Sequence, residues 1–381
     1  MDRRVTPQSQ STHRLPLGFV GMVSLLILGE TCLAIRAPDF LGEIAYAWRW
    51  GARSAQRDAP KSEVLCFGDS LVKFGVAPRV VESRTGRTMW NLAVTGGRPA
   101  NSYFLLRRAL DAGARPAALV LDADLLYADP FEIPYLWPQL ATPGEIIEMA
   151  WMGGNPDFFF HYGLAWTLPS VRARYEIRSN ILAAFRGEAT NLRAAASLTN
   201  RNWKVNRGAA IMPSDRQLPA SSVQILDAWP DKRPRPGQWL SHPINTVYLD
   251  KFLDIAAERA IPVFWLLPPH YRMFDRYYDQ PNWSGLHREF IRQRLARYTN
   301  LVIVDGTHAN YDRTVVMDVS HLNRNGAVAY SIALGDILRD HLSNQTKPAS
   351  RWIELPAFCE PPTDAPVEDL AQSSQAIMSR R

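Results

Sequence analysis

The chain has 381 residues, 46% hydrophobic and 21% charged, which excludes a wholly disordered protein and allows one large folded domain. Its formal net charge of +6 comes from basic residues spread along the chain rather than gathered in blocks. Because no basic stretch is interleaved with aromatic residues, the composition argues against a nucleic-acid groove, and we expect no nucleic-acid partner.

The cysteines and histidines show no metal-binding or disulfide pattern. Cys32, Cys66 and Cys359 lie far apart, and no CxxC pair occurs. We therefore expect no disulfide framework, no bound metal and no cofactor.

The first predicted element is a transmembrane signal-anchor helix over 15–35. Arginines within 1–14 precede an apolar run that Glu30 interrupts near its end. The segment 1–14 would then be cytoplasmic and the rest of the chain extracytoplasmic, tethered to the membrane. The alternative is a buried core helix.

After a predicted linker over 36–62, short apolar runs alternate with helical patterns through the domain that we place at 63–343. The predicted strands are 64–67, 89–93, 118–122, 262–267 and 301–305. The predicted helices are 77–85, 102–113, 246–260, 286–298 and 325–342, the last capped by Asn323 or Asn325. This alternation predicts an α/β fold whose parallel sheet is covered by helices on both faces.

Two segments depart from the alternation. The segment 127–245, rich in Trp, Pro and Arg, is predicted to be a partly helical insertion after the third strand that builds the substrate side of the site. Exposed tryptophans there would suit stacking on sugar rings, whereas tryptophan more often lies in a core. The polar, Pro-rich segment 344–381 is predicted to be a loosely attached tail.

The first chemical motif is Gly68-Asp69-Ser70-Leu71, directly after the first predicted strand. A serine at that point lies where a parallel sheet presents its ligands, with its backbone N–H free to face an oxyanion. Taken alone, the triplet would be a turn in which Asp69 or Ser70 caps the next helix.

The second motif places Asp318 and His321 three residues apart, just before the last predicted helix. A carboxylate at that spacing can hold an imidazole in the tautomer that accepts a proton from serine. Separately, His321 would be a structural histidine and Asp318 a cap. Together with Ser70, they predict a catalytic triad.

These motifs resemble the SGNH (GDSL) hydrolase superfamily, which has G-D-S-[LIV] after its first strand and D-x-x-H before its final helix. The ending from Asp318 to Gly326 looks like that of exported, membrane-tethered members associated with acylation of cell-envelope polymers. The resemblance implies a flavodoxin-like three-layer α/β/α sandwich with a central, mostly parallel five-stranded sheet.

The other family motifs match less closely. The resemblance implies an oxyanion hole made by the N–H groups of Ser70 and Gly96, because Gly96 aligns with the last glycine of N-x-G-x-x-G, in which Ala93 replaces the first. The family's asparagine after the third strand is absent, since 121–125 reads LDADL. Gly96 is also compatible with an ordinary loop glycine.

Three further residues lie at or just after the carboxyl ends of predicted strands and are candidates for the substrate side. Asp122 and Asp124 would orient a sugar hydroxyl or position another residue, or else have ordinary strand-end roles. His270, after the fourth strand, would contact substrate or serve as a structural loop histidine.

The sequence therefore predicts a serine esterase or O-acyltransferase acting on an acyl ester, with an envelope saccharide as a candidate substrate. Water as acceptor would make it an esterase, and a sugar hydroxyl would make it an acyltransferase. The alternative is an inactive envelope protein that keeps the fold and binds a glycan or a partner complex.

Overall fold

A computed structural model describes residues 17–36, 41–188, 192–222, 239–271, 284–343 and 350–379, the side chains of 192–195 excepted. The predicted cytoplasmic segment 1–14, Trp229 and residues 344–349 of the predicted tail lie outside the described residues. The described chain has an α/β fold built on one sheet.

The sheet contains six parallel strands in the order β2-β1-β3-β4-β5-β6. The strands are β1 (Val64–Phe67), β2 (Met89–Asn91), β3 (Ala118–Asp122), β4 (Val263–Leu267), β5 (Leu301–Asp305) and β6 (Trp352–Glu354). The helices are α1 (Leu17–Ile35), α2 (Glu43–Arg57), α3 (Ser70–Gly75), α4 (Pro78–Thr85), α5 (Pro99–Asp111), α6 (Pro143–Met152), α7 (Pro156–Thr167), α8 (Pro169–Arg172), α9 (Arg174–Phe185), α10 (Leu192–Val205), α11 (Pro243–Glu258), α12 (Leu286–Arg297), α13 (Arg324–Ser343) and α14 (Leu370–Met378). All five predicted strands and the five predicted helices are present, with small shifts at their ends.

Helices cover both faces of the sheet. Alternate residues of β1 enter two separate cores, with Leu65 and Phe67 facing α2, α5 and α11, and Val64 and Cys66 facing α4 and α13. Every residue of β1, β3, β4 and β5 is buried, because a parallel sheet covered on both sides leaves neither face to water.

The sheet has one strand more than the five predicted. The Ile303 N–H donates to the Arg351 carbonyl at 2.7 Å and the Leu355 N–H donates to the Asp305 carbonyl at 2.8 Å, which attaches β6 beside β5. This edge strand is short and partly exposed, so it lacks the continuous apolar run that identified the inner strands.

The remainder of the predicted tail is also folded. Helix α14 packs on α10, and Arg201 of α10 forms an ion pair with Glu368 at 2.7 Å. The Asn202 and Asn206 amides donate to the Glu368 carbonyl at 2.8 and 2.6 Å. Polar side chains therefore attach this segment to α10. The polar composition suggested a loose tail, which is wrong for the described part, because those polar side chains make the attaching contacts.

The predicted linker over 36–62 instead contains helix α2, and its residues 37–40 lie outside the described part of the chain. Ala47 and Trp48 are fully buried, and the Trp48 indole N–H donates to the Thr95 carbonyl at 2.9 Å. Polar residues on the outer face of α2 hid its apolar inner face, which the tertiary structure buries against α5.

Helix α1 is long and apolar enough to span a membrane, with a mean hydropathy of 2.0. None of its residues is buried, whereas the alternative of a core helix would require a buried face. A protein with this helix has a candidate membrane anchor ahead of its folded domain.

The insertion between β3 and β4 contains helices α6 to α10. Three of its tryptophans, Trp137, Trp203 and Trp239, are buried, and Trp151 and Trp166 are exposed. The segment therefore adds a packed helical region to the domain and presents part of its aromatic surface outward.

Candidate active site

Ser70 lies at the carboxyl edge of the sheet, where β1 ends and α3 begins. The side chain of Asp69 caps α3 by accepting a hydrogen bond from the Leu71 N–H at 2.7 Å. The chain thus turns from β1, the second strand of the sheet, into a helix within two residues, which fixes the position of the serine.

The structure brings the three predicted triad residues together. The Ser70 Oγ lies 2.8 Å from His321 Nε2, although the two residues are 251 positions apart. On the other side of the ring, His321 Nδ1 lies 2.8 Å from Asp318 Oδ2 and 3.0 Å from Oδ1. With Nδ1 protonated, Nε2 is an acceptor aimed at the serine hydroxyl, which is the arrangement for proton transfer from serine.

Local hydrogen bonds close the loop that holds Asp318 and His321. Asp318 Oδ1 accepts from the Ser320 and His321 backbone N–H groups, both at 2.9 Å. The Met317 N–H donates to the His321 carbonyl at 2.9 Å, next to an isolated bridge between Val316 and Leu322. The carboxylate and imidazole are therefore oriented before any substrate binds.

The start of α13 supports this loop. Asn323 Oδ1 accepts from the Asn325 and Gly326 N–H groups, which confirms Asn323 as the cap, and its amide donates to the Thr314 carbonyl at 2.8 Å. A Cβ atom at Gly326 would lie 2.3 Å from the Val315 carbonyl oxygen. Asn323 and Gly326 therefore have structural roles in the motif.

The electrostatics of the loop favour a charged carboxylate at Asp318. Burial alone would raise its pKa, but the hydrogen bonds and charge of His321 and the backbone N–H groups outweigh burial and lower it. The imidazole also packs edge to face against Phe74 of α3, with ring centroids 5.3 Å apart. Asp318 is thus ionised at neutral pH and can stabilise an imidazolium.

Gly96 lies in the turn after β2 with a φ of 67°, a left-handed conformation that favours glycine. Its carbonyl accepts a hydrogen bond from the Arg98 guanidinium at 2.9 Å. Across the described ranges, neither the Gly96 N–H nor the Ser70 N–H donates to a protein acceptor. Both N–H groups are therefore available to a ligand oxygen.

Asn91 positions the nucleophile helix. It is fully buried at the end of β2, and its amide donates to the Val72 and Val76 carbonyls at 2.9 and 3.1 Å. Its Oδ1 accepts from the Ala93 N–H at 3.0 Å. In the sequence, Asn91 was identified only as the first residue of the N-x-G-x-x-G motif. An asparagine at the end of an apolar strand was the signal that could have predicted this role.

Asp122 lies behind the nucleophile rather than on an open substrate surface. It is 4% exposed, and its Oδ1 accepts from the Asp124 N–H at 2.9 Å. Burial, and then the neighbouring carboxylates of Asp69 and Asp124, raise the pKa of Asp122 well above its usual range. Almost none of its surface is accessible, which favours the strand-end role among the roles predicted for it.

The other two substrate-side candidates differ in exposure. Asp124 is partly exposed and begins a short 3₁₀ helix, Asp124–Tyr127. His270 is 9% exposed, with its Nδ1 3.4 Å from the Pro268 carbonyl oxygen. Asp124 therefore has some surface that a ligand could contact, whereas His270 is mostly buried in the loop after β4.

Lys73, one turn after Ser70, is a buried amine that sequence reasoning missed. It is 1% exposed, and its Nζ lies 3.9 Å from the Trp203 ring centroid and 4.9 Å from that of Trp50. Burial lowers the pKa of Lys73 to about 7, against a smaller opposing effect of Glu43. The two indoles also favour the ammonium form through cation–π attraction. Its spacing in the sequence gave no sign of this environment.

We expect the free energy of unfolding to rise by about 2 kcal/mol between about pH 7 and 9, because the unfolded chain binds more protons there than buried Lys73 does. Lys73→Met should remove this rise. Denaturant unfolding of the chain in mild detergent at each pH would measure it. Lys204→Met, at an exposed lysine of α10, should retain the wild-type pH dependence. A rise of equal size in Lys73→Met would contradict the assignment.

No protein-family model matches this sequence, and a search of the curated proteins finds no significant match.

Proposed function

We propose that this protein is an SGNH-type serine hydrolase or O-acyltransferase that forms an acyl-enzyme on Ser70. The hydrogen-bonded series from Ser70 Oγ through His321 to Asp318, with 2.8 Å at each junction, is the observation that carries the proposal. A serine hydroxyl is activated at neutral pH by a histidine that accepts its proton and a carboxylate that orients the histidine, and these three groups are bonded here in that order.

In the proposed reaction, His321 Nε2 accepts the Ser70 proton as Oγ bonds to the ester carbonyl carbon. The resulting oxyanion accepts hydrogen bonds from the Ser70 and Gly96 N–H groups. As the intermediate collapses, the carbon–oxygen bond of the ester breaks, and His321 returns the proton to the leaving alkoxide. Asp318 remains charged throughout and stabilises the imidazolium.

The second half of the reaction repeats these steps with a new nucleophile. Water deprotonated by His321 would release the acid, and a saccharide hydroxyl would carry the acyl group away as a new ester. The partly exposed Asp124 is a candidate to orient such a hydroxyl. Without the family's asparagine the oxyanion has two backbone donors, which suits slow rather than efficient hydrolysis.

The strand order β2-β1-β3-β4-β5 supports a flavodoxin-like α/β/α sandwich, to which β6 adds an edge strand. Helix α1 supports a membrane-anchored protein. The arginines ahead of it are the sequence feature on which we propose that the domain lies on the extracytoplasmic side. An envelope ester would then be within its reach.

A fluorophosphonate probe tests the proposal, because it phosphonylates only an activated serine. We expect the full chain in detergent to be labelled, with the modified peptide containing Ser70. Prior heat denaturation should abolish the labelling. Absence of labelling in the folded protein would reject the enzyme and favour the inactive binding protein.

A further inference from the structure

Helices α6, α7 and α9 of the insertion expose an unusual number of large apolar side chains. Trp151, Phe185 and Phe160 are 86%, 85% and 62% exposed. These three form the insertion face together with Ile147, Phe159, Trp166, Ile181 and Leu182. Helix α7 contacts both α6 and α8, and α8 contacts α9, so these side chains belong to one helical cluster. Soluble monomers rarely expose so large an apolar region unless it binds something.

Helix α7 has aromatic side chains on its outer as well as its inner side, with Asp157 and His161 among its exposed polar residues. Phe158 and Tyr162 are buried, while Phe159, Phe160 and Trp166 point outward. From residue 158 to 167 the helix contains no Asp, Glu, Lys or Arg. A surface helix in water would have polar residues on its outer side, whereas a helix in a membrane interface has aromatic and aliphatic ones.

The insertion face adjoins the candidate membrane span. Glu30 of α1 accepts a hydrogen bond from the Ser170 N–H at 3.0 Å and a second from the Ser170 hydroxyl. Ser170 belongs to α8, between α7 and α9. Because the five residues after Glu30 rise about 7.5 Å, α8 lies beside the last turns of α1. A bilayer around α1 would therefore end at the level of the insertion helices.

Two arginines lie at the same level. Arg49 and Arg172 line a cavity with Leu33 of α1, and Glu176 also contributes to its wall. Neither arginine forms a hydrogen bond or ion pair with any of the residues that the structure describes. Guanidinium groups at this depth are suited to the phosphates of lipid headgroups.

We propose that the insertion face enters the membrane leaflet next to the domain. The protein would then contact the bilayer both through α1 and through the helices of the insertion. The inference rests on α1 as the membrane anchor and does not depend on the triad. It also explains Glu30, which would be costly in lipid alone but is hydrogen-bonded to α8.

Site-directed spin labelling of the full chain in phosphatidylcholine and phosphatidylglycerol nanodiscs tests this contact. In a Cys32→Ser, Cys359→Ser background, which removes the exposed cysteines, labels would be placed by Trp151→Cys, Phe160→Cys and Phe185→Cys. We expect them to collide more with oxygen, which concentrates in lipid, than with a water-soluble nickel chelate.

Two control positions make the result decisive. Leu25→Cys in α1 should report lipid, and Glu258→Cys at the end of α11 should report water. If Leu25 reports lipid and the three insertion positions report water, the proposal is wrong and a protein partner becomes the occupant to seek. If Leu25 also reports water, the anchor itself is absent and the proposal fails with it.

Discussion

Ser70→Ala is expected to lower the turnover of an activated ester such as p-nitrophenyl acetate by about 10⁴- to 10⁶-fold, because the variant cannot form an acyl-enzyme. The two backbone N–H donors remain, so a residual rate above that in water should persist. Initial rates of the purified full chain in detergent, with and without the substitution, measure the effect.

Ser83→Ala is the matched control. Ser83 is an exposed serine of the neighbouring helix α4, whose hydroxyl donates to the Val80 carbonyl at 2.7 Å. Its variant should keep the full rate. The Ser70 hydroxyl is hydrogen-bonded to the His321 ring, and losing this one bond should leave the fold intact. Ser70→Ala should therefore unfold at nearly the same denaturant concentration as the wild type. Undiminished turnover in a folded Ser70→Ala protein would remove Ser70 from the mechanism.

If the proposed triad is catalytic, Asp318→Asn should reduce turnover by about 10⁴-fold without disrupting the loop, as the loss of the orienting carboxylate does in established Ser-His-Asp enzymes. An asparagine oxygen can still accept from the Ser320 and His321 N–H groups. Its amide, however, would donate to His321 Nδ1 and leave the ring proton on Nε2, which faces Ser70. The histidine could then no longer accept the serine proton.

The control for Asp318→Asn lies in the same region of the chain. Asp312 Oδ1 accepts from the Thr314 N–H at 2.7 Å, which gives it a turn like that of Asp318 but without a histidine partner. Asp312→Asn should therefore retain turnover. Equal losses in the two variants would mean that loop stability, rather than the tautomer of His321, controls the rate.

The local sequence determined the main elements of the fold and the chemistry of the site. Continuous apolar runs predicted the buried strands, and the strand ends placed Ser70 and Gly96 at one edge of the sheet. Asp318 and His321 are close in sequence, so their hydrogen bond follows from a short loop. Each of these features arises from residues that are close together in the chain, so a local sequence pattern is enough to predict it.

Other features depend on contacts between residues that are distant in the chain, and only the tertiary structure decided them. The segments of α2, β6 and α14 looked like a linker and a tail, because their polar outer sides conceal inner sides that pack elsewhere. The burial of Lys73 between Trp50 and Trp203, and the effect of the Asp69 carboxylate on the pKa of Asp122, likewise require residues from separate elements. Packing creates these environments, and no window of the sequence contains both partners.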